Sequence, residues 1–126
     1  MKKMFSALLA PLLLLTGCGA GGEGYRQITQ QEAKERMDAG GVLVLDGREQ
    51  DEYDGGHMPG AVLLPLGTID ETSAADTIGE KDAEVLVYCR SGNRSKQAAA
   101  KLAELGYTNV YEFGGIMTWP YEVTTE

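Results

Sequence analysis

Short apolar runs alternate with polar, helix-forming stretches along the chain from Tyr25 onwards. Continuous apolar runs rich in β-branched residues are typical of parallel strands buried on both faces. The runs predict strands over residues 25–28, 42–45, 61–64, 84–88 and 109–113. The stretches between them predict helices over residues 30–39, 48–53 and 95–105. This alternation predicts an α/β domain, with a parallel central sheet covered by helices.

The helix boundaries have recognisable signals. Thr29 is a good N-cap, and Glu32 follows it at the spacing of a capping box. The segment 95–105 has the clearest helical periodicity, and Gly106 is its predicted stop. Its apolar positions are Ala98, Ala99, Leu102 and Leu105. Residues 68–78 are polar and ambiguous, and we predict a loop followed by a short helix there.

The first 17 residues have the pattern of a cleaved export signal. Lys2 and Lys3 precede an apolar run that is shorter than the roughly 20 residues of a membrane-spanning helix. The run ends in Leu15-Thr16-Gly17-Cys18, which resembles the bacterial lipoprotein signal. That resemblance implies cleavage before Cys18 and lipidation of its thiol, for example by palmitate. An ordinary secretory peptide with a chance cysteine is the alternative.

Cleavage at that point would leave a tethered domain. Residues 18–24 would be the lipidated Cys18 and a Gly-rich, flexible tether, and residues 25–126 the folded domain. The lipoprotein resemblance implies a partner membrane and an extracytoplasmic location in the cell envelope. Gly19, rather than Asp, follows Cys18. In a Gram-negative cell this resembles sorting to the periplasmic side of the outer membrane.

The net charge of the chain argues against one class of binding partner. The chain has 11 basic and 19 acidic residues, which gives a net charge of -8 at pH 7. An acidic surface repels phosphate backbones, so we expect no nucleic-acid partner.

The sequence has two cysteines, Cys18 and Cys89, and the role of Cys89 is the open question. If Cys18 is lipidated, Cys89 has no partner for an internal disulfide, and it is either an inert buried residue or a reactive one. Cys89 follows a predicted strand and precedes a predicted helix, and this edge of a parallel sheet is where ligands bind. Gly92 allows unusual backbone conformations, so that successive N–H groups can point inward and, with the helix N-terminus, bind an anion. Such a setting lowers a thiol pKa and favours a nucleophilic thiolate.

Several motifs in a fixed order carry a family resemblance. They are Cys89-Arg90-Ser91-Gly92-Asn93-Arg94 with Ser95 opening the helix, Leu45-Asp46-Gly47-Arg48-Glu49, Glu52-Tyr53, Gly56-His57-Met58-Pro59-Gly60-Ala61, and Gly114-Gly115 with Trp119. Over about residues 26–120 the chain resembles a single-domain rhodanese, a thiosulfate-type sulfurtransferase. Gly47 and Met58 stand where the family usually has Val and Ile, and both differences concern packing.

The resemblance implies a rhodanese-like sheet of about five parallel strands with helices on both faces. It also implies that Cys89 takes sulfur from a small anionic donor as a persulfide and passes it to a thiol or cyanide. The expected donor-binding residues are Arg90, Ser91, Gly92, Asn93 and Arg94. Asp46, Arg48 and His57 would support the structure. We expect no cofactor and a monomeric domain.

Other functions fit the same residues less well. A Cys–His protease would need His57 beside Cys89, and a disulfide oxidoreductase would need a second Cys where Gly92 stands. One His and one free Cys lack further ligands at metal-binding spacing, so we expect no metal. A Cys-dependent phosphatase needs five residues between its Cys and Arg, whereas four separate Cys89 from Arg94. A non-catalytic persulfide carrier or binding module stays open as the alternative to an enzyme.

Overall fold

The computed structural model describes residues 24–126, and within them five strands form one parallel sheet. The strands are β1 (Arg26–Gln27), β2 (Leu43–Asp46), β3 (Val62–Leu63), β4 (Val85–Cys89) and β5 (Val110–Gly115). They lie in the order β1-β5-β4-β2-β3, and every pairing between neighbours is parallel. The predicted α/β class and the five-stranded sheet are therefore confirmed, and β4 lies at the centre of the sheet.

Four helices connect the strands in the described part of the chain. They are α1 (Gln30–Ala39), α2 (Gln50–Gly55), α3 (Glu71–Ile78) and α4 (Asn93–Glu104). Thr29 caps α1 as predicted, because its Oγ1 accepts the Glu32 N–H at 3.0 Å. The segment that was ambiguous in the sequence, residues 68–78, begins at the end of a 3-10 turn, Leu66–Thr68, and continues into α3. The prediction of a loop and a short helix is confirmed.

Helix α4 begins earlier than predicted. The predicted start was Ser95, but Gly92 is the N-cap, with φ 107°, and the chain is helical from Asn93. Glycine adopts this left-handed conformation without steric cost, so the chain can turn at Gly92 directly from the end of β4 into the helix. Asn93 and Arg94 therefore lie in the first turn of α4, and the expectation that they belong to the loop is wrong. We call the remaining connection, Arg90–Gly92, the Cys89 loop.

Helix α2 begins later than predicted, at Gln50 rather than Arg48. Glu49 is its N-cap, and a capping box joins Glu49 and Glu52. Arg48 thus precedes the helix and is free to turn its side chain inward, where it is 5% exposed.

The core lies on both faces of the sheet. Successive residues of a strand point to opposite faces, so Val87 and Tyr88 of β4 belong to different clusters. One cluster joins strand residues to α3 and α4 through Ala74, Ala98, Ala99 and Leu102. The other joins the opposite face to α1 and α2 through Ala33, Met37 and Tyr53. Helices on both faces, as expected from the resemblance, are confirmed.

The predicted signal peptide, residues 1–17, lies outside the described residues, as do Cys18 and the tether apart from Gly24. Across residues 24–126, none of the helices has both the length and the apolar content needed to cross a membrane.

Gly47 offers a direct test of packing beside β2. A Cβ added there would lie 3.6 Å from the Tyr88 carbonyl oxygen and 3.9 Å from the Ala98 Cβ, and Gly47 does not have a positive φ. Gly47→Ala should therefore raise the free energy of unfolding by about 0.5–1 kcal/mol, because alanine restricts the unfolded chain. Thermal and denaturant unfolding measure the change.

The matched control is Gly79→Ala, at a position with open space but φ 86°. It should destabilise the domain, since a Cβ is strained in that conformation. If Gly47→Ala lowers the melting temperature as much as Gly79→Ala does, the proposed room at Gly47 does not exist.

Candidate active site

Cys89 is the last residue of β4 and is 1% exposed. The pairing of β4 with β5 shifts between Val87 and Cys89, so that Cys89 lies opposite Gly115. Such an irregularity bends the strand and redirects its last side chain. The backbone then turns through the Cys89 loop, and the Gly92 N–H donates to the Cys89 Sγ at 3.0 Å.

The surroundings of the thiol favour its ionised form. Burial of the Cys89 thiol by itself raises its pKa. The Ser95 hydroxyl and the N–H groups of Ser95, Gly92 and Ser91 together lower the pKa by more than burial raises it, so that it lies below its ordinary value. The N–H donors come from the Cys89 loop and the first turn of α4, where the helix dipole is positive. The anion-binding backbone expected from the sequence is thus built around the sulfur itself.

The Cys89 loop lies directly on the end of β5. A Cβ on Gly115 would overlap the carbonyl of Arg90 and the backbone nitrogen of Ser91. The Met117 N–H also donates to the Arg90 carbonyl oxygen, at 3.1 Å. Glycine at position 115 therefore lets two backbones touch, which gives a physical reason for the Gly-Gly pair in the sequence.

The two arginines of the motif differ in their surroundings. Arg90 is exposed. Arg94 is part-buried and pairs through both Nη atoms with Glu52, at 2.8 and 2.9 Å. The Arg94 guanidinium lowers the pKa of Glu52 to about 2. This pair connects α4 to α2 and satisfies much of the charge of Arg94.

Asp46 and Arg48 form a buried ion pair next to the site. The Arg48 side chain donates to the Asp46 carboxylate from Nε at 2.9 and 3.1 Å and from Nη2 at 2.7 Å, and it also reaches the Gly56 carbonyl oxygen at 2.7 Å. The Tyr88 hydroxyl donates to the same carboxylate at 2.8 Å and accepts the Met58 N–H at 3.0 Å. The network thus holds the residue immediately before Cys89.

His57 packs against the segment that precedes it. Its ring stacks on Tyr53 at 3.7 Å between centroids, and its Nδ1 lies 2.8 Å from the Tyr53 carbonyl oxygen. Its backbone forms a bridge with Thr124 near the C-terminus. These contacts are those of a residue that holds chain segments together.

Two residues near the site were not identified from the sequence as functional. Ser95, expected to open α4, has no exposed surface, and Glu112 on β5 is 1% exposed. The Ser95 hydroxyl donates to Glu112 Oε2 at 2.5 Å. The signal for Glu112 was an acidic residue inside the apolar run 110–113, where a charged side chain is costly unless it is satisfied.

An open pocket of about 300 Å³ lies beside the Cys89 loop. Its lining includes Gln30, Ser91, Gly92, Lys96, Glu112 and Thr118. The polar lining suits a small polar molecule or the end of a peptide better than an apolar ligand.

Fold and site together define a class of protein. It is an α/β domain in which a cysteine closes the central parallel strand and its sulfur is surrounded by backbone N–H donors. A thiolate held in this way is able to act as a nucleophile towards an anionic substrate.

Within that class the chain belongs to the rhodanese family, since residues 29–121 match the family described as the rhodanese-like domain. It is 35% identical over 96 residues to thiosulfate sulfurtransferase GlpE of Coxiella burnetii, covering 75% of this chain and 87% of the relative. Among solved structures it is similar to a rhodanese from E. coli, with a TM-score of 0.62 and 30% identity over 68% of this chain and 99% of that one. It is also similar to a rhodanese-related protein from Thermoplasma volcanium, with a TM-score of 0.67 and 32% identity over 81% of this chain and 100% of that one.

The ion pair between Glu52 and Arg94 should show in the pH dependence of stability. A carboxylate whose pKa is depressed from 4.5 to about 2 stabilises the fold above pH 4.5, and this contribution is lost as pH falls towards 2. Glu52→Gln should therefore cost about 1 kcal/mol at pH 7, since both groups are part-exposed and screened. Denaturant unfolding of the two proteins from pH 7 to pH 2 measures the difference.

The control is Glu104→Gln, an exposed glutamate on the same helix as Arg94. Its cost should be small and vary little with pH. A cost for Glu52→Gln that is equally large at pH 2 would contradict the ion-pair explanation.

Proposed function

We propose that this domain is a sulfurtransferase that moves sulfane sulfur from an anionic donor such as thiosulfate to a thiol or cyanide. The observation that carries the proposal is the Cys89 sulfur, which accepts the Gly92 N–H at 3.0 Å and has a lowered pKa. Membership of the rhodanese family, with a relative named thiosulfate sulfurtransferase, supports it.

In the first half-reaction the Cys89 thiolate attacks the outer sulfur of thiosulfate. A bond forms between Sγ and that sulfur, the sulfur–sulfur bond of thiosulfate breaks, and its electron pair leaves with sulfite. The charge of the products, a persulfide anion and sulfite, equals that of the reactants. The N–H groups around Cys89 would then hold the charge on the persulfide as they hold it on the thiolate.

In the second half-reaction the acceptor attacks the outer sulfur of the persulfide. The new bond joins that sulfur to a thiolate or to the carbon of cyanide, and the electron pair of the broken bond returns to Sγ. The products are the acceptor persulfide or thiocyanate and the starting thiolate. The cycle is of the ping-pong type and requires no cofactor in either step.

The motif residues take graded roles in this proposal. Cys89 is the nucleophile, and Ser91 and Gly92 contribute backbone N–H groups. Arg90 is exposed next to Cys89 in the sequence and attracts the donor anion. Arg94 acts mainly through its pair with Glu52, which fixes the first turn of α4. Asn93 is exposed in the same turn and lies at the edge of the donor site.

Asp46, Arg48 and His57 act as structural support. The ion pair of Asp46 and Arg48 holds Tyr88, and through the backbone it fixes the direction in which Cys89 leaves the strand. Removing one partner of a buried pair leaves an uncompensated charge, so the pair is sensitive to substitution.

A persulfide carrier is the second candidate, and the burial of Cys89 favours it. At 1% exposure the sulfur is poorly accessible to a bulky acceptor. A domain that loads sulfur readily and releases it only to a matched partner would have this structure.

Persulfide formation is the direct test. After treatment with thiosulfate, intact-mass spectrometry of the domain should show one added sulfur, which reduction removes. Cys89→Ser should gain none, because it lacks the nucleophilic thiol. Turnover of thiosulfate with cyanide then distinguishes the candidates, since a carrier would load sulfur without sustained thiocyanate production. A wild-type protein that gains no mass with any of several donors rules out both.

For the N-terminus we propose a lipid anchor on Cys18 that holds the domain at an extracytoplasmic membrane surface. The support is the charged and apolar start followed by Leu15-Thr16-Gly17-Cys18. Cys18→Ser should move the full-length protein from the membrane fraction to the soluble fraction of cells, because several acyl chains on one cysteine are needed for firm binding. The matched control, Cys89→Ser, should stay with the membranes. A Cys18→Ser protein that remains membrane-bound contradicts the anchor.

A further inference from the structure

The pocket of about 300 Å³ beside the Cys89 loop takes no part in the sulfur transfer described above. It lies between the starts of two helices, because Thr29 and Gln30 at the start of α1 and Lys96 near the start of α4 all line it. Gly92 lines the pocket as well, and its N–H donates to the Cys89 Sγ at 3.0 Å. Cys89 is not among the lining residues, so the pocket adjoins the sulfur through Gly92 rather than enclosing it.

The cationic side chain in the lining of this pocket is Lys96. It is exposed, and within residues 24–126 it forms none of the salt bridges found. In the same range no hydrogen bond is found for its Nζ or for the Ser91 hydroxyl. Lys96 is the fourth residue of α4, near the positive end of the helix dipole, and the first turn has no acidic residue to offset its charge. Helix stability therefore does not explain this cation, whereas an anion in the pocket would be attracted by it and by the helix end.

Glu112 is the acidic residue of the lining, and its carboxylate already has its hydrogen-bond donors. Its Oε2 accepts the Ser95 hydroxyl at 2.5 Å and the Gly114 N–H at 2.9 Å, and its Oε1 accepts the Gln27 side-chain amide at 3.0 Å. The side chain is 1% exposed. Glu112 therefore needs no cation from a ligand, and the accessible charge of the lining is that of Lys96.

The position of the pocket decides between the sulfur donor and the acceptor as its ligand. In thiosulfate the charged group is bonded directly to the outer sulfur, at about 2 Å, so this donor is too short to span Gly92 from the pocket to the sulfur of Cys89. A thiol that carries a carboxylate at the end of a short chain can bind in the pocket and still present its own sulfur. Because Cys89 is 1% exposed, a small acceptor also reaches it more easily than a protein does. The volume of the pocket is in the range of small-molecule sites.

We propose that this pocket binds the carboxylate of a small acceptor thiol, with Lys96 as its cationic contact, so that the thiolate meets the persulfide of Cys89 beside Gly92. The inference rests on the proposed function and names the class of acceptor. The acceptor thiolate forms a bond to the outer sulfur, the bond of that sulfur to Sγ breaks, and its electron pair stays on Sγ. The acceptor persulfide and the Cys89 thiolate carry the same total charge as the acceptor thiolate and the Cys89 persulfide did. The carboxylate is unchanged throughout.

The choice between acceptors with different charges tests the pocket. The full-length protein is loaded with thiosulfate and freed of excess donor, and the loss of the added sulfur from the Cys89 peptide is followed with each thiol. The thiols are β-mercaptopropionate, which has a carboxylate, β-mercaptoethanol, which is neutral, and cysteamine, which has an ammonium group. Lys96→Gln should lower the ratio of the β-mercaptopropionate rate to the β-mercaptoethanol rate about fourfold, the size expected of one exposed ion pair. A ratio compared between variant and wild type is independent of the intrinsic reactivity of each thiol.

The matched control is Lys101→Gln, which removes the same charge from an exposed position of α4 outside the pocket lining. It should leave the ratio unchanged. Lys96→Glu reverses the charge and should raise the ratio of the cysteamine rate to the β-mercaptoethanol rate. A wild type that takes up no sulfur counts against the proposed function. A loaded protein whose β-mercaptopropionate ratio is the same in Lys96→Gln, or is lowered equally in Lys101→Gln, overturns the pocket proposal.

A binding measurement tests the pocket without any sulfur transfer. The probe is β-(methylthio)propionate, whose methyl group caps the sulfur so that it binds without reacting. In NMR titrations of the resting full-length protein, it should shift the backbone amide signals of Gly92 and Thr118, which both line the pocket. The affinity should fall about fourfold in Lys96→Gln and be kept in Lys101→Gln. Absence of these shifts in the wild type, or an equal affinity in Lys96→Gln, overturns the proposal whether or not Cys89 takes up sulfur.

Discussion

The contact between the Arg90 carbonyl and the Cα of Gly115 is the constraint on which the site depends. Because residue 115 is a glycine, no Cβ separates the two backbones. The Cys89 loop can therefore lie directly against the end of β5. The shift in pairing before Cys89 and the positive φ angles of Gly92 and Gly114 accompany this close approach. Together they turn the N–H groups towards the sulfur. The electrostatics of the thiol thus originate in backbone geometry more than in charged side chains.

Two neighbouring residues of β4 connect the core to the chemistry. Tyr88 points to one face of the sheet, where its hydroxyl meets the buried Asp46, and Cys89 continues into the loop. The ion pair of Asp46 and Arg48 is costly to bury, and its several hydrogen bonds offset that cost. The hydrogen bonds that fix Tyr88 therefore also restrict the backbone at Cys89, because one peptide bond separates the two residues.

Local sequence patterns predicted most of the secondary structure, but they did not predict contacts between residues that are far apart in the sequence. The run 84–88 identified the central strand, and Thr29 and Gly106 identified helix ends, because those signals act within a few residues. The start of α4 was missed because a loop glycine and an N-cap glycine look alike in sequence. Glu52 and Arg94 are 42 residues apart, so nothing local indicates that they pair.

The same distinction between local and long-range signals applies to the residues of the candidate site. Cys89 could be found from its place between a strand and a helix. Glu112 could not, because its partners Gln27 on β1 and Ser95 on α4 are far from it in the sequence and meet it only when the sheet forms. A buried acid in an apolar strand was the one available sign, and its meaning depended on what lay opposite.

The near-complete burial of Cys89 also sorts the molecules that can react with it. A disulfide with another folded protein requires the two Cα atoms to approach within about 7 Å, and the walls around this sulfur oppose that approach. In the proposed persulfide, the reactive sulfur would lie about 2 Å from Sγ, at the length of a sulfur–sulfur bond. In the proposed cycle, reach would therefore separate the two states of the cysteine: the thiol is shielded from folded partners, whereas the added sulfur would be closer to an acceptor.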